Sequence, residues 1–115
     1  MPDLTPDDLA YWGATEADEA VRPAPETRLI GETLFVKTEG RTLRFPVRVK
    51  GSDLAAFVEK VGADDLPLFA EIVGKYASEK DAAAFADLDL LDQTVVAVRF
   101  FAAFRDLAEA TVGKS

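Results

Sequence analysis

The chain contains no cysteine and no histidine. Without cysteine there is no disulfide staple and no thiolate nucleophile or ligand, which suits a cytoplasmic protein. Without histidine the commonest general base and the commonest metal ligand are both missing. No apolar run approaches about 18 residues, so no membrane span is expected. The start, Met1-Pro-Asp-Leu-Thr-Pro-Asp-Asp, is acidic and lacks the apolar segment of a signal peptide. Positive charge is also scarce. Thirteen Lys and Arg stand against 21 Asp and Glu, a net charge of −8. Nucleic acid and anionic membranes are therefore disfavoured as partners.

What remains is a chain of 115 residues, 49% hydrophobic and 30% charged, the size and composition of one globular domain. Its charge is segregated. Residues 1–27 sum to −6, residues 28–51 to +4 and residues 52–115 to −6.

The first 27 residues combine four prolines with an acidic run and few large apolar groups, so they are expected to form a disordered lead. Within them Thr5 can cap one helical turn, with Pro6 at its first position and Asp7 and Asp8 at its positive end. That turn would carry Leu9, Tyr11 and Trp12. Trp12 then either folds back onto the domain or belongs to a docking peptide. Residues 28–115 are expected to form a single α+β domain: a β-hairpin packed on a small helical bundle with a long apolar last helix.

The hairpin comes from Thr33–Thr38 and Arg41–Val49, two runs rich in β-branched and aromatic residues. They are joined by Glu39-Gly40, where Gly40 can adopt a positive φ. Leu43, Phe45, Val47 and Val49 alternate with Thr42, Arg44, Arg48 and Lys50, which predicts one buried face and one basic face. Pro46 interrupts the polar row and marks an edge or a bulge. Ser52 is the expected N-cap of a helix bearing Leu54, Phe57, Val58 and Val61, ended by Gly62. A second helix starts near Asp64-Asp65 and carries Leu68, Phe69, Ile72, Val73 and Tyr76. Ser78 opens a third, short helix with Ala82, Phe85 and Ala86.

Asp89 to Val112 reads as one long helix with Asp89 as its cap and Gly113 as its stop. Asp92, Arg99 and Asp106 fall on one narrow polar line. Apolar residues cover most of the remaining surface, more than the roughly 100° stripe of an ordinary surface helix. Two stripes can be drawn. Val96, Phe100, Phe104 and Leu107 form one, and Leu91, Val95, Val98 and Phe101 form a broader one. A small core covers only one of them well. On width, Phe101 is expected in the core, and Val96, Phe100, Phe104 and Leu107 are expected at a partner. Arg44, Arg48 and Lys50 are the matching basic candidates, for an acidic surface. An oligomer or the capture of an apolar helix follows.

No catalytic, cofactor or metal site is expected. Asp87, Asp89 and Asp92 lack the spacing and turn glycine of a calcium loop, and carboxylates at a helix start already favour the macrodipole. Ser52 and Ser78 have no histidine to activate them. Gly113-Lys114-Ser115 ends like a phosphate loop but lacks the rest of that motif.

The order of elements carries a resemblance over residues 28–115. A hairpin ends in Phe45-Pro46, and a helix starts at Ser52-Asp53-Leu54. A short helical set, a Phe-rich last helix and a Gly-Lys-Ser end follow. This layout resembles the tail assembly chaperones of long-tailed bacteriophages, particularly those of actinobacterial hosts. The resemblance implies a small non-catalytic protein of the host cytoplasm that coats the tape-measure protein and recruits tail-tube subunits. It also implies a longer form made by ribosomal frameshifting. It carries over no fixed functional residues, and it does not explain the acidic lead. The alternative is a bacterial adaptor or antitoxin-like protein that covers one partner.

Overall fold

The computed structural model describes residues 24–38 and 40–113. The residues up to 23, where a helical turn capped by Thr5 and a role for Trp12 were expected, lie outside them. The elements run in chain order as strands β1 (Glu26–Ile30), β2 (Thr33–Thr38) and β3 (Arg41–Pro46). Helices α1 (Gly51–Val61), α2 (Asp65–Tyr76), α3 (Glu79–Ala86) and α4 (Leu90–Gly113) follow. The architecture is α+β, an antiparallel sheet followed by helices, with the long helix last.

The hairpin forms where the alternation places it, with Leu34 opposite Phe45 and Val36 opposite Leu43. Gly40 turns it with φ 78°, a conformation a side chain would strain. A further strand, β1, pairs with β2 through a second tight turn at Gly31, whose φ is 63°. The sheet therefore begins at Glu26, inside the stretch expected to be lead. β3 ends at Pro46, earlier than the alternation suggested. It is an edge strand, where a residue without an N–H is tolerated. One more hydrogen bond, from Val47 N–H to the Glu32 carbonyl at 2.9 Å, carries the pairing just past it.

Leu34, Val36, Leu43, Phe45 and Val47 form the buried face of the sheet, and α2, α3 and α4 supply the other wall. Phe45, Phe69 and Phe85 meet edge to face with centroids 5.1–6.0 Å apart, and Phe100 joins Phe69 at 4.8 Å. Such pairs each add about 0.5–1.5 kcal/mol beyond their burial. Helix α1 has no fully buried residue; Leu54 and Phe57 pack half-buried against the margin of this core, and Val58 is turned to solvent. Ser52 does not cap it. The helix starts two residues earlier than that cap implies, at Gly51, with Lys50 at the N-cap position and no side-chain cap. Ser78 does cap α3, accepting from Asp81 N–H at 3.1 Å, and the Asp89 carboxylate caps α4, accepting from Asp92 N–H at 2.8 Å. The Gln93 amide closes the far end of α3, donating to the Phe85 and Ala86 carbonyls at 3.0 and 3.3 Å. Those carbonyls have no partner within their own helix.

Candidate docking groove on the last helix

Which face of α4 enters the core is settled by its small residues as much as by its rings. Val96, Ala97, Phe100 and Ala103 are buried together. Ala97 and Ala103 are buried in the core on either side of Phe100. This corrects the expectation for the two aromatic neighbours. Phe100 is the core ring, 1% exposed, and Phe101 is half-buried beside it. Val96 and Phe100, expected at a partner surface, are core residues with no area left to offer. The broad stripe is divided: Leu91 is 62% and Val98 46% exposed, while Val95 and Phe101 are half-buried. Width misled because a wide apolar stripe packs no better than a narrow one lined with alanine. The polar line is also broken at its first member, since Asp92 is buried while Arg99 and Asp106 are exposed.

Past Ala103 the sheet has ended and α4 runs on. Phe104, Leu107, Ala108, Thr111 and Val112 then face the segment Val47–Lys50 across a groove of about 530 Å³. Phe104 is 48% and Val112 73% exposed, while Leu107 is half-buried on the core's margin. Arg48 and Lys50 lie on the opposite side. The groove therefore unites four of the expected partner residues, Phe104 and Leu107 from the helix with Arg48 and Lys50 from the strand's exit. Arg44 is not among them. It lies on the outer face of the sheet, 5.7 Å from the centre of the Phe35 ring.

The cations at this end differ in what they already hold. The Arg48 Nε donates to the Glu32 carboxylate, which holds the guanidinium above its ordinary value. Lys50 has no ion pair among the described residues. Its backbone N–H donates to the Tyr76 hydroxyl at 3.1 Å. That hydroxyl in turn donates to the Asp53 carboxylate, which also accepts from Lys75 Nζ at 2.7 Å. The Lys75 ammonium first, and the Tyr76 hydroxyl next, hold the Asp53 carboxyl below its usual range. These ties fix Val47–Lys50 between the sheet and α2, so one wall of the groove is rigidly mounted.

Sequence reasoning missed Ala108, Thr111 and Val112 as groove residues. They lie in the last turns of α4, and their place in a groove depends on β3 ending at Pro46 and on the path of Val47–Lys50, which no local signal gives. Among the described residues no three His, Cys, Asp or Glu are grouped to hold a metal, and no helix is long and apolar enough to cross a membrane. No buried side-chain nitrogen or oxygen among them lacks a hydrogen-bond partner. The groove is an apolar surface with cations beside it. Comparison with protein-family models, with curated proteins and with solved structures found no match to this chain.

Proposed function

We propose that this is a non-catalytic binding and assembly protein that holds an apolar helical segment of a partner in the α4 groove. The observation that carries the reading is the contiguous apolar wall of Phe104, Leu107, Ala108 and Val112 beyond the end of the sheet. Scattered exposed apolar side chains are ordinary, but a contiguous set beside a fixed wall offers a partner real energy. Each large side chain fully covered is worth roughly 1.5–3 kcal/mol. Docking an amphipathic helix by its i, i+3, i+4, i+7 residues is a common use of such grooves. The resemblance to phage tail assembly chaperones supplies the class of partner: the tape-measure protein, with tail-tube subunits recruited to it in the host cytoplasm. The exposed Leu91 and Val98 stripe adds a second surface, for association between copies.

The test is co-expression with the tape-measure protein of the same genome. The wild-type chain should co-purify with it, and Phe104→Asp should release it without changing the far-ultraviolet circular dichroism. A wild-type chain that never co-purifies ends the chaperone reading. Binding that survives Phe104→Asp and Val112→Asp moves the partner to another surface.

A further inference from the structure

We propose that the chain's own N-terminal segment, through Leu9, Tyr11 and Trp12, occupies the α4 groove when no partner is bound. The inference rests on the reading of that groove as the docking site and adds the device that regulates it.

Three observations lead there. The first is chemical fit. The groove has an apolar wall, with Phe104, Leu107 and Val112, and beside it Lys50, together with Arg48, which Glu32 already pairs. The segment has the complementary order: Asp7 and Asp8 stand directly before Leu9, Tyr11 and Trp12. Its apolar groups would meet the helix wall while its carboxylates reach Lys50. A volume of about 530 Å³ lies within the roughly 300–1,000 Å³ of cavities that take drug-sized groups. An indole and a leucine side chain fit that range.

The second is charge. Residues 1–23 carry six acids and one arginine. Three other hollows fit them less well. The apolar one between α2 and α3 is lined by Leu66, Pro67, Ala70, Phe85 and their neighbours, with no charged residue. The one containing Arg41 and Lys80 has only alanines for its apolar part, and Asp87 besides. The one beside Arg28 and Lys37 has Phe35 as its single large apolar side chain and Glu26 in its lining. Lys50 and several large apolar side chains coincide at the α4 groove.

The third is reach. Trp12 is joined to Ala24 by residues 13–23, which extend to about 40 Å at roughly 3.3–3.6 Å per residue. The first strand starts beside Lys37, at the end of the sheet far from Val47. A six-residue strand is about 20 Å long, so the segment reaches the groove with slack. Tethering then makes even a weak contact sufficient. Effective concentrations for short flexible links are on the order of millimolar, so an intrinsic affinity of that order half-fills the groove. A partner binding better than this displaces the segment, and the groove stays covered until it arrives.

Trp12 is the one tryptophan of the chain, which gives the inference a direct readout. The experiment is acrylamide quenching of tryptophan fluorescence in the full-length protein, with N-acetyltryptophanamide as the exposed standard. In the wild type the quenching constant should be several-fold below the standard and independent of protein concentration. Phe104→Asp and Val112→Asp, both at exposed positions, should each raise it towards the standard with the circular dichroism unchanged. Lys50→Glu should raise it as well. A wild-type Trp12 as quenchable as the standard overturns the inference. So does protection that persists in all three variants, or that appears only at high protein concentration. The two readings separate cleanly on the same proteins. An exposed Trp12, in a chain whose tape-measure binding is still lost on Phe104→Asp, removes the self-occupied groove and leaves the docking site standing. A Trp12 released by the groove variants, in a chain that binds no tape-measure protein, does the reverse.

Discussion

Phe100 and Phe104 are four residues apart on α4, and their surroundings are opposite. Phe100 lies against Phe69 among fully buried side chains, and Phe104 lies in the groove, about half exposed. Truncating a packed core phenylalanine costs about 3–5 kcal/mol, from lost burial plus the cavity left behind. Truncating an exposed one away from any cap or ion pair usually changes stability by about 0.5 kcal/mol or less. Phe100→Ala should therefore lower the unfolding free energy by about 3–5 kcal/mol in urea titrations. Phe104→Ala should leave it within about 0.5 kcal/mol of wild type and act only on docking. Equal losses in the two variants would mean that α4 is covered all round and that the groove is closed. The choice between neighbouring rings was not legible in the sequence. Periodicity gives the angle between Phe100 and Phe101, about 100°. It does not give which direction faces the sheet, and Ala97 and Ala103, buried on either side of Phe100, mark the one that does.

At the scale of elements, the helices were the most legible part. Their apolar periods, the capping Ser78 and Asp89 and the glycine stop at Gly62 are all local signals, and all act in the structure. Strand β1 escaped because it carries no such signal. None of its residues is fully buried, and it follows a proline-rich run. Only its pairing with β2 makes it a strand. The groove was legible in its residue types but not in its assembly, because it depends on where β3 stops. Helix α1 shows a further limit. Of its apolar residues Leu54 and Phe57 pack half-buried against the core while Val58 faces solvent, and polar ties at its rim add to its hold. Asp53 accepts from Lys75 and Tyr76, and Lys60 pairs with Glu71 at 2.7 Å. The carboxyl of Asp53 is lowered in the folded state, so its stabilising contribution is present above the unfolded carboxylate value of about 3.9. It is lost as pH falls through the lower, folded value. Asp53→Asn should therefore reduce the thermal midpoint at neutral pH, and the gap from wild type should close in acid, below about pH 4. A gap that stays constant from pH 7 into acid would show that the carboxylate charge contributes nothing to holding α1.

Across the whole molecule, charge is divided between layers. Arg28, Phe35 and Arg44 stand in one row across the outer face of the sheet, with Lys37 next to Phe35's strand neighbour, while the helical part carries the acids. Arg48 adds less to this face than its position suggested, because Glu32 already neutralises it. A basic face at one side and an acidic layer at the other favour head-to-tail contact between copies, a heterologous arrangement that closes into a ring or extends as a filament. Such contacts join exposed charges, so they depend on screening. The Debye length is about 10 Å at 0.1 M salt and about 3 Å at 1 M. Sedimentation at low salt should show association that declines across that range. Arg28→Glu with Arg44→Glu should abolish it while preserving the monomer's circular dichroism. The apolar stripe of Leu91 and Val98 predicts the opposite salt response, since salts excluded from protein surfaces strengthen apolar contact. Association that is unchanged by the double charge reversal and rises in sulfate would therefore assign self-assembly to α4 and leave the basic face to the acidic part of a partner.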